Sequence, residues 1–270
     1  MTDLELLAAI AGVFGLLFGS FLNVCVGRLP QDLSVVSPRS YCPACGTTLK
    51  SWHNIPVLSY LVLGGRCAFC RTYISWRYPF IELLTGICFW QAVLLEGPTW
   101  GAFKLCVYSW LLIALMFSDL EWRILPDEFT KGGMVLGIFL APIVPLPAGL
   151  SALIFPDGSP ALLSLIEALI ASAVLSAALW SLGWAYQRIR GREGLGFGDV
   201  KLVGMIGAFT GLSGALFVLV IGSVAGTVIG LLWIWLRRHD ASSYELPFGT
   251  FLAGSALVFA FVGRSFFMAP

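Results

Sequence analysis

Long apolar stretches, separated by short polar segments, run through the chain from one end to the other. A helix needs about 20 apolar residues to cross the hydrocarbon core of a bilayer. By that measure the pattern predicts helices near 4–27, 79–96, 101–118, 132–147, 161–186, 198–212, 214–236 and 249–267. The expected fold class is an all-α polytopic membrane protein with about eight transmembrane helices. The sixth segment is short and carries Gly204, Gly207 and Gly211. It reads as a discontinuous or tilted span packed among its neighbours, because irregular backbone at membrane depth is tolerated only inside protein. The first run, from about Leu4 to Val26, carries the acids Asp3 and Glu5 at its head and is longer than a signal-peptide core, so it reads as a retained helix. The segment from Pro145 to Pro160 reads as a loop without legible chemistry, and no tandem repeat is visible.

Composition agrees with the pattern. The chain is 58% hydrophobic, 14% aromatic and 11% charged, against roughly 25% charged residues in a soluble domain. A net charge of +1 offers no basic footprint for nucleic acid. The placement of the charges says more than their sum. Residues 28–79 hold Arg28, Arg39, Lys50, Arg66, Arg71 and Arg77 against one acid, Asp32. Lys and Arg accumulate in cytoplasmic loops, so this segment is expected on the cytoplasmic face of the inner membrane. Alternation from there brings Arg188, Arg190, Arg192, Arg237 and Arg238 to the same side and leaves little beyond Lys104 and Arg264 on the other, with both termini outside. The expected organisation is a first helix over 1–27, a cytoplasmic loop over 28–78 and a membrane core over 79–270.

Four of the seven cysteines fall in that loop as two pairs, Cys42-Pro-Ala-Cys45 and Cys67-Ala-Phe-Cys70, with 21 residues between them. Two Cys-x-x-Cys knuckles at this spacing resemble a zinc ribbon. Four thiolates can fill a tetrahedral Zn²⁺ site, which makes the metal structural. It would stand in for the core that a loop of this size cannot build. The other readings of the same spacing are a redox pair and a relic that no longer holds metal. His53 lies in the loop, but four cysteines already complete a site, and it reads as an ordinary surface or aromatic-packed histidine.

Two acids stand out at helix ends. Ser118-Asp119 closes a helix with no charge from Val107 to Phe117, and Gly194-Leu195-Gly196-Phe197-Gly198-Asp199 leads into the sixth segment. Both are expected on the cytoplasmic face. Glycines at 194, 196 and 198 would free the backbone and let a peptide approach the carboxylate. Two carboxylates held close together cannot both ionise easily, and they share a proton suited to general acid–base chemistry. On the residues alone, a helix cap at Asp199 and a solvated interfacial acid at Asp119 stay open.

Ser118-Asp119 with Leu125-Pro126-Asp127, followed by Gly196-Phe197-Gly198-Asp199-Val200-Lys201, resembles the signature of the type IV prepilin peptidases, a branch of the Gly-x-Gly-Asp aspartyl proteases. The resemblance extends through Gly19-Ser20-Phe21-Leu22-Asn23-Val24, Arg28-Leu29-Pro30, the cysteine pairs, Arg77-Tyr78-Pro79 with Glu82, and Pro247-Phe248-Gly249. It implies catalytic aspartates at Asp119 and Asp199. It also implies cleavage of the basic leader of a prepilin or pseudopilin, and N-methylation of the new terminus with S-adenosylmethionine. Asp127 matches a Pro-Asp position of the family, where helix capping is an equal reading. Glu82, Arg77 and Asn23 are the candidates for holding the methyl donor. Glu82 pairing with Arg77, and Asn23 bonding between helices, are the structural alternatives. Glu167 is expected to have no part in the chemistry. Two other classes fit parts of the pattern: an ion- or proton-coupled transporter, and a membrane-bound module that recruits a partner through the zinc loop. Against the transporter, both acids lie at helix ends and no inverted repeat is visible.

Overall fold

The computed structural model describes residues 2–147, 149–192, 194–237 and 246–263. The expected positions of Arg238 and Arg264, and the end of the 249–267 helix, lie outside these residues. Nine α-helices are seen among the described residues: α1 (Asp3–Arg28), α2 (Leu58–Val62), α3 (Arg77–Glu96), α4 (Trp100–Trp122), α5 (Asp127–Leu140), α6 (Leu150–Ile154), α7 (Pro160–Arg190), α8 (Phe197–Arg237) and α9 (Phe248–Val258). Five of them, α1, α3, α4, α7 and α8, are long and apolar enough to cross a membrane. The chain divides into two compact units, Met1–Ala114 and Leu115–Pro270, and the division falls within α4.

In the first unit, α1 starts on a reciprocal cap. The Thr2 hydroxyl accepts the Glu5 amide at 3.3 Å and the Glu5 carboxylate accepts the Thr2 amide at 2.8 Å. The helix packs against α3 through small residues. A Cβ added at Gly15 would lie 2.7 Å from Thr85 O, and one at Gly19 would lie 2.7 Å from the Glu82 Cα. Backbones that approach this closely give van der Waals contact where lipid supplies no hydrophobic drive between helices. The Trp110 indole donates to Phe18 O at 3.2 Å, tying the first part of α4 to the same helix.

Between α1 and α3 the loop makes two near-identical turns. Tyr41 pairs with Thr48 and Arg66 with Tyr73. Within these brackets the Cys42 amide donates to Thr47 O at 3.0 Å and the Cys67 amide to Thr72 O at 2.9 Å. Each turn needs one left-handed residue, which is Gly46 (φ 68°) in the first and Arg71 (φ 60°) in the second.

In the second unit, Ser159 caps α7 by accepting the Leu162 amide, Pro160 opens the helix and left-handed Gly191 (φ 69°) closes it. These signals carry the helix to Arg190, four residues past the expected end at 186. The expectation of a helix over 132–147 is corrected. α5 begins at Asp127 and stops at Leu140, because Pro142, Pro145 and Pro147 cannot continue a hydrogen-bonded helix. Its 14 residues rise about 21 Å, short of the roughly 30 Å hydrocarbon core. α9 runs 11 residues and continues through a wider π-helical turn over Phe259–Gly263.

The expected sixth and seventh helices form one helical run, α8, broken at Gly211, where φ 73° and ψ 180° leave the helical region. Before the break, Gly204 faces Ser176 and Gly207 faces Ala171, so this part runs antiparallel to α7. After it, Gly214 faces Phe259, Gly222 faces Leu252 and Gly230 faces Leu246, so the second part runs antiparallel to α9. Glu167, 1% exposed, stands at the break. Its carboxylate accepts the Leu212 amide at 3.3 Å and the Ser151 amide at 3.0 Å. Two helix starts that lack internal partners are thereby capped by one buried acid, and the residue's place is structural.

Candidate active site and metal centre

Asp119 lies inside α4, which continues to Trp122, and not just past the helix as the sequence suggested. The helix ends where Arg123 turns left-handed (φ 57°), and the Ser118 hydroxyl donates to Ile124 O at 2.7 Å, folding the following segment back on the helix. Leu125 then packs between two glycines. A Cβ added at Gly198 would lie 3.2 Å from the Leu125 Cβ, and one at Gly249 would lie 3.1 Å from Leu125 Cδ1. Gly198 precedes Asp199 in the first turn of α8, and Gly249 opens α9 beside Asp119.

The two acids that the sequence singled out are brought together. The one Leu125 side chain packs on both Gly198, the residue before Asp199, and Gly249, which touches Asp119, and the two carboxylates act on each other as like charges. Asp119 is buried at 6% exposed and Asp199 is half-buried. Asp119 Oδ2 accepts two hydrogen bonds from α9, one from the Thr250 amide at 2.7 Å and one from the Thr250 hydroxyl at 2.9 Å. The sequence reading missed Thr250. Its signal was the position directly after Pro247-Phe248-Gly249, where a first-turn amide has no carbonyl four residues back and shares itself between Pro247 O at 3.2 Å and the nearer Asp119.

The glycines before Asp199 act differently from expectation. None of Gly194, Gly196 and Gly198 is left-handed. They are small because Tyr186 packs on Gly194, Leu125 on Gly198, and the Asp199 carboxylate itself comes within 3.3 Å of where a Gly196 Cβ would stand. Space for a close neighbour, which is the carboxylate only at Gly196, is what these positions provide.

Asp127 is the first residue of α5, so the capping position belongs to Pro126 and the capping reading of Asp127 is corrected. The acid pairs with Lys131 at 2.6 Å and with Lys201, two residues beyond Asp199. These lysines, Lys131 first, hold its carboxyl below the usual carboxylate range. The Lys201 ammonium also sits 5.1 Å above the Phe197 ring. The cluster pins the start of α8 to the start of α5.

The four loop cysteines also converge. Their Sγ atoms all lie within 4.8 Å of one another, and Cys42 Sγ is 3.8 Å from Cys70 Sγ. A tetrahedron with Zn–S bonds of about 2.3 Å has an edge of about 3.8 Å. Thr72 Oγ1 lies 3.4 Å from Cys70 Sγ and Thr47 Oγ1 lies 3.3 Å from Cys45 Sγ. The Thr72 hydroxyl pulls the Cys70 thiol down to about 6 and Thr47 lowers Cys45, which favours the thiolate at these two positions, whereas Cys42 is pushed up to about 11. The arrangement can hold a metal ion. His53 stacks edge-on against Trp52 and Phe69, at ring distances of 6.0 and 5.4 Å, as an aromatic-packed histidine.

The candidates for the methyl donor gather where α1 crosses α3. Asn23 Nδ2 donates to Tyr78 O at 3.1 Å, while its buried Oδ1 has no hydrogen-bond partner. The Arg77 guanidinium lies 4.6 Å above the Tyr78 ring. The Glu82 carboxylate, 8% exposed, accepts the Val57 amide at 2.7 Å. Val57 is a β-branched residue at φ 60°, a rare conformation that its surroundings must enforce. Glu82 is therefore the anchor of a strained turn in the cysteine loop.

Comparison with known proteins covers nearly the whole chain. Residues 13–95 match the Bacterial Peptidase A24 N-terminal domain, and residues 106–231 match the Type IV leader peptidase family. A protein of Aeromonas salmonicida named prepilin leader peptidase/N-methyltransferase is 34% identical, across 89% of this chain and 86% of its own length. Proteins of the same name from Burkholderia pseudomallei and Pseudomonas aeruginosa are 36% and 32% identical, across 96% and 89% of this chain and 87% and 85% of theirs. No solved structure matches. With two carboxylates on neighbouring helix ends, a four-cysteine loop before α3 and relatives aligned along most of both lengths, the chain belongs to the type IV leader peptidase family.

Proposed function

We propose that this protein removes the leader of type IV prepilins or pseudopilins by peptide hydrolysis at Asp119 and Asp199, and then methylates the exposed N-terminus. The observation that carries the reading is the meeting of the two carboxylates, with Asp119 buried and held from α9. Membership of the family and the name borne by its relatives supply the substrate class. In the hydrolysis one carboxylate takes a proton from water as the water oxygen attacks the scissile carbonyl. The other, protonated, donates to the carbonyl oxygen. Collapse of the tetrahedral species breaks the C–N bond as the first acid returns its proton to the departing amine.

The basic composition of residues 28–79 supports a cytoplasmic site, where a basic leader would wait outside the bilayer. Cys42, Cys45, Cys67 and Cys70 would hold Zn²⁺ as a structural ion, giving residues 28–78 a metal-centred fold between the first helix and the membrane core over 79–270. S-adenosylmethionine would supply the methyl group. Asn23, Arg77 and Glu82 are the residues that would hold it, and what supports this is the buried Asn23 Oδ1, an acceptor with no hydrogen-bond partner among the described residues. Ion transport draws no support from the family or from two acids at helix ends.

The test is direct. Purified protein in lipid is mixed with a prepilin, with and without S-adenosylmethionine, and the product is weighed by mass spectrometry. Leader loss in both samples, and one further methyl group in the second, is expected. An intact prepilin contradicts the peptidase reading, and leader loss without methylation contradicts only the second activity.

A further inference from the structure

The two carboxylates are not equivalent, and α9 makes the difference. Its first turn meets Asp119 end-on: Pro247 is the capping position, and Thr250 is the third helical residue. The amides of a first turn lack partners four residues back, and they carry the positive end of the helix dipole. The Thr250 amide gives this hydrogen bond to Asp119 Oδ2 at 2.7 Å. The approach is possible because residue 249 is glycine, since a Cβ there would stand 3.1 Å from Asp119 Cγ. The Thr250 hydroxyl has one proton and two acceptors in reach, Asp119 Oδ2 at 2.9 Å and Met116 O at 3.2 Å in the preceding turn of α4, and the carboxylate oxygen is the nearer and the more strongly accepting of the two. Burial disfavours a charge on Asp119, and the two donors on its one oxygen oppose that by favouring the anion. They also occupy Oδ2 and leave Oδ1 for water. Asp199 has no such pair of donors among the described hydrogen bonds.

We infer that Thr250 is the positioning residue of the dyad: its amide and hydroxyl fix Asp119 as the ionised carboxylate that deprotonates water, and leave Asp199 to carry the proton given to the scissile carbonyl. The inference rests on the peptidase reading above. Attack by water delivers its proton to Asp119 Oδ1 while Asp199 protonates the carbonyl oxygen. When the C–N bond breaks, Asp119 passes its proton to the amine and Asp199 recovers one from the tetrahedral hydroxyl, so both acids return to their starting states. The charged groups facing Asp119 are Arg123, just past the end of its own helix, and Asp199 on α8, and Thr250 is the contact from α9. Asp127, Lys131 and Lys201 satisfy one another in their own cluster.

The experiment is the pH profile of kcat/KM for prepilin cleavage by the full chain and two variants. Thr250→Val keeps the shape and the amide but loses the hydroxyl. The expected result is a tenfold or greater fall in rate at neutral pH, and an acidic limb moved up by about one pH unit, because the anion of the base has lost a donor. Thr250→Ser restores the hydroxyl and is expected to restore the wild-type limb, a rescue that a packing role for the threonine methyl would not give. An unshifted limb in Thr250→Val, an alkaline limb that moves instead, or a serine variant shifted like the valine variant overturns the inference while leaving the peptidase reading intact. An active Asp119→Asn enzyme, measured alongside, overturns that reading itself.

Discussion

At the residue scale, two cysteine turns with one geometry differ in how well they suit it. The left-handed position is Gly46 in the first and Arg71 in the second. A side chain in that region costs roughly 1 to 2 kcal/mol that glycine avoids. Arg71→Gly is therefore expected to stabilise the cysteine loop by about 1 kcal/mol, read as a later chelator-induced loss of metal, and an earlier loss contradicts the reading. The same comparison explains what was legible. Cys-x-x-Cys spacing announced the four thiols and Gly46 fits its turn, but the residue type marks neither Arg71 nor Val57 as left-handed: the local cysteine turn sets the one, and Glu82 of α3 holds the amide of the other. Asp119 and Asp199 were legible as acids where apolar runs end. Thr250 was not, because a threonine opening a helix is unremarkable until an acid from another helix is found against its amide.

At the element scale, close packing depends on residues whose chief property is size. Gly12, Gly15 and Gly19 repeat along one face of α1, and the Cβ missing from Gly15 would stand 2.7 Å from Thr85 O and 2.9 Å from the Phe89 Cβ. Gly15→Leu is expected to cost about 1 to 3 kcal/mol through overpacking against α3, seen as a lowered midpoint in thermal unfolding in detergent. An unchanged midpoint would mean that the two helices do not pack as described. Hydropathy located α1, α3, α4 and α7 within a few residues, since length and apolarity decide those elements. It failed where a single residue decides. The helix drawn to 147 ended at Leu140 under three prolines, and the boundary between the sixth and seventh segments became one left-handed residue, Gly211, capped by Glu167. A hydropathy average sees neither a missing amide nor a cap supplied from a distant helix.

At the scale of the whole molecule, the chain pairs a soluble-type device with a membrane-type one. A loop rich in exposed side chains gathers four thiols within 4.8 Å, and a bundle of apolar helices gathers two acids. The first predicts one tightly bound Zn²⁺ per chain by elemental analysis, lost in Cys67→Ser, and a chain purified without metal but with its loop folded would contradict it. The second is the centre of the account. Asp119→Asn and Asp199→Asn change charge but hardly shape, so initial rates of prepilin cleavage by each variant, in protein shown to be folded, test the dyad most directly. Each is predicted to lose at least about 10² to 10⁴-fold in rate, the contribution of a positioned acid or base. Near-wild-type cleavage by either variant would contradict the claim that these two carboxylates perform the hydrolysis.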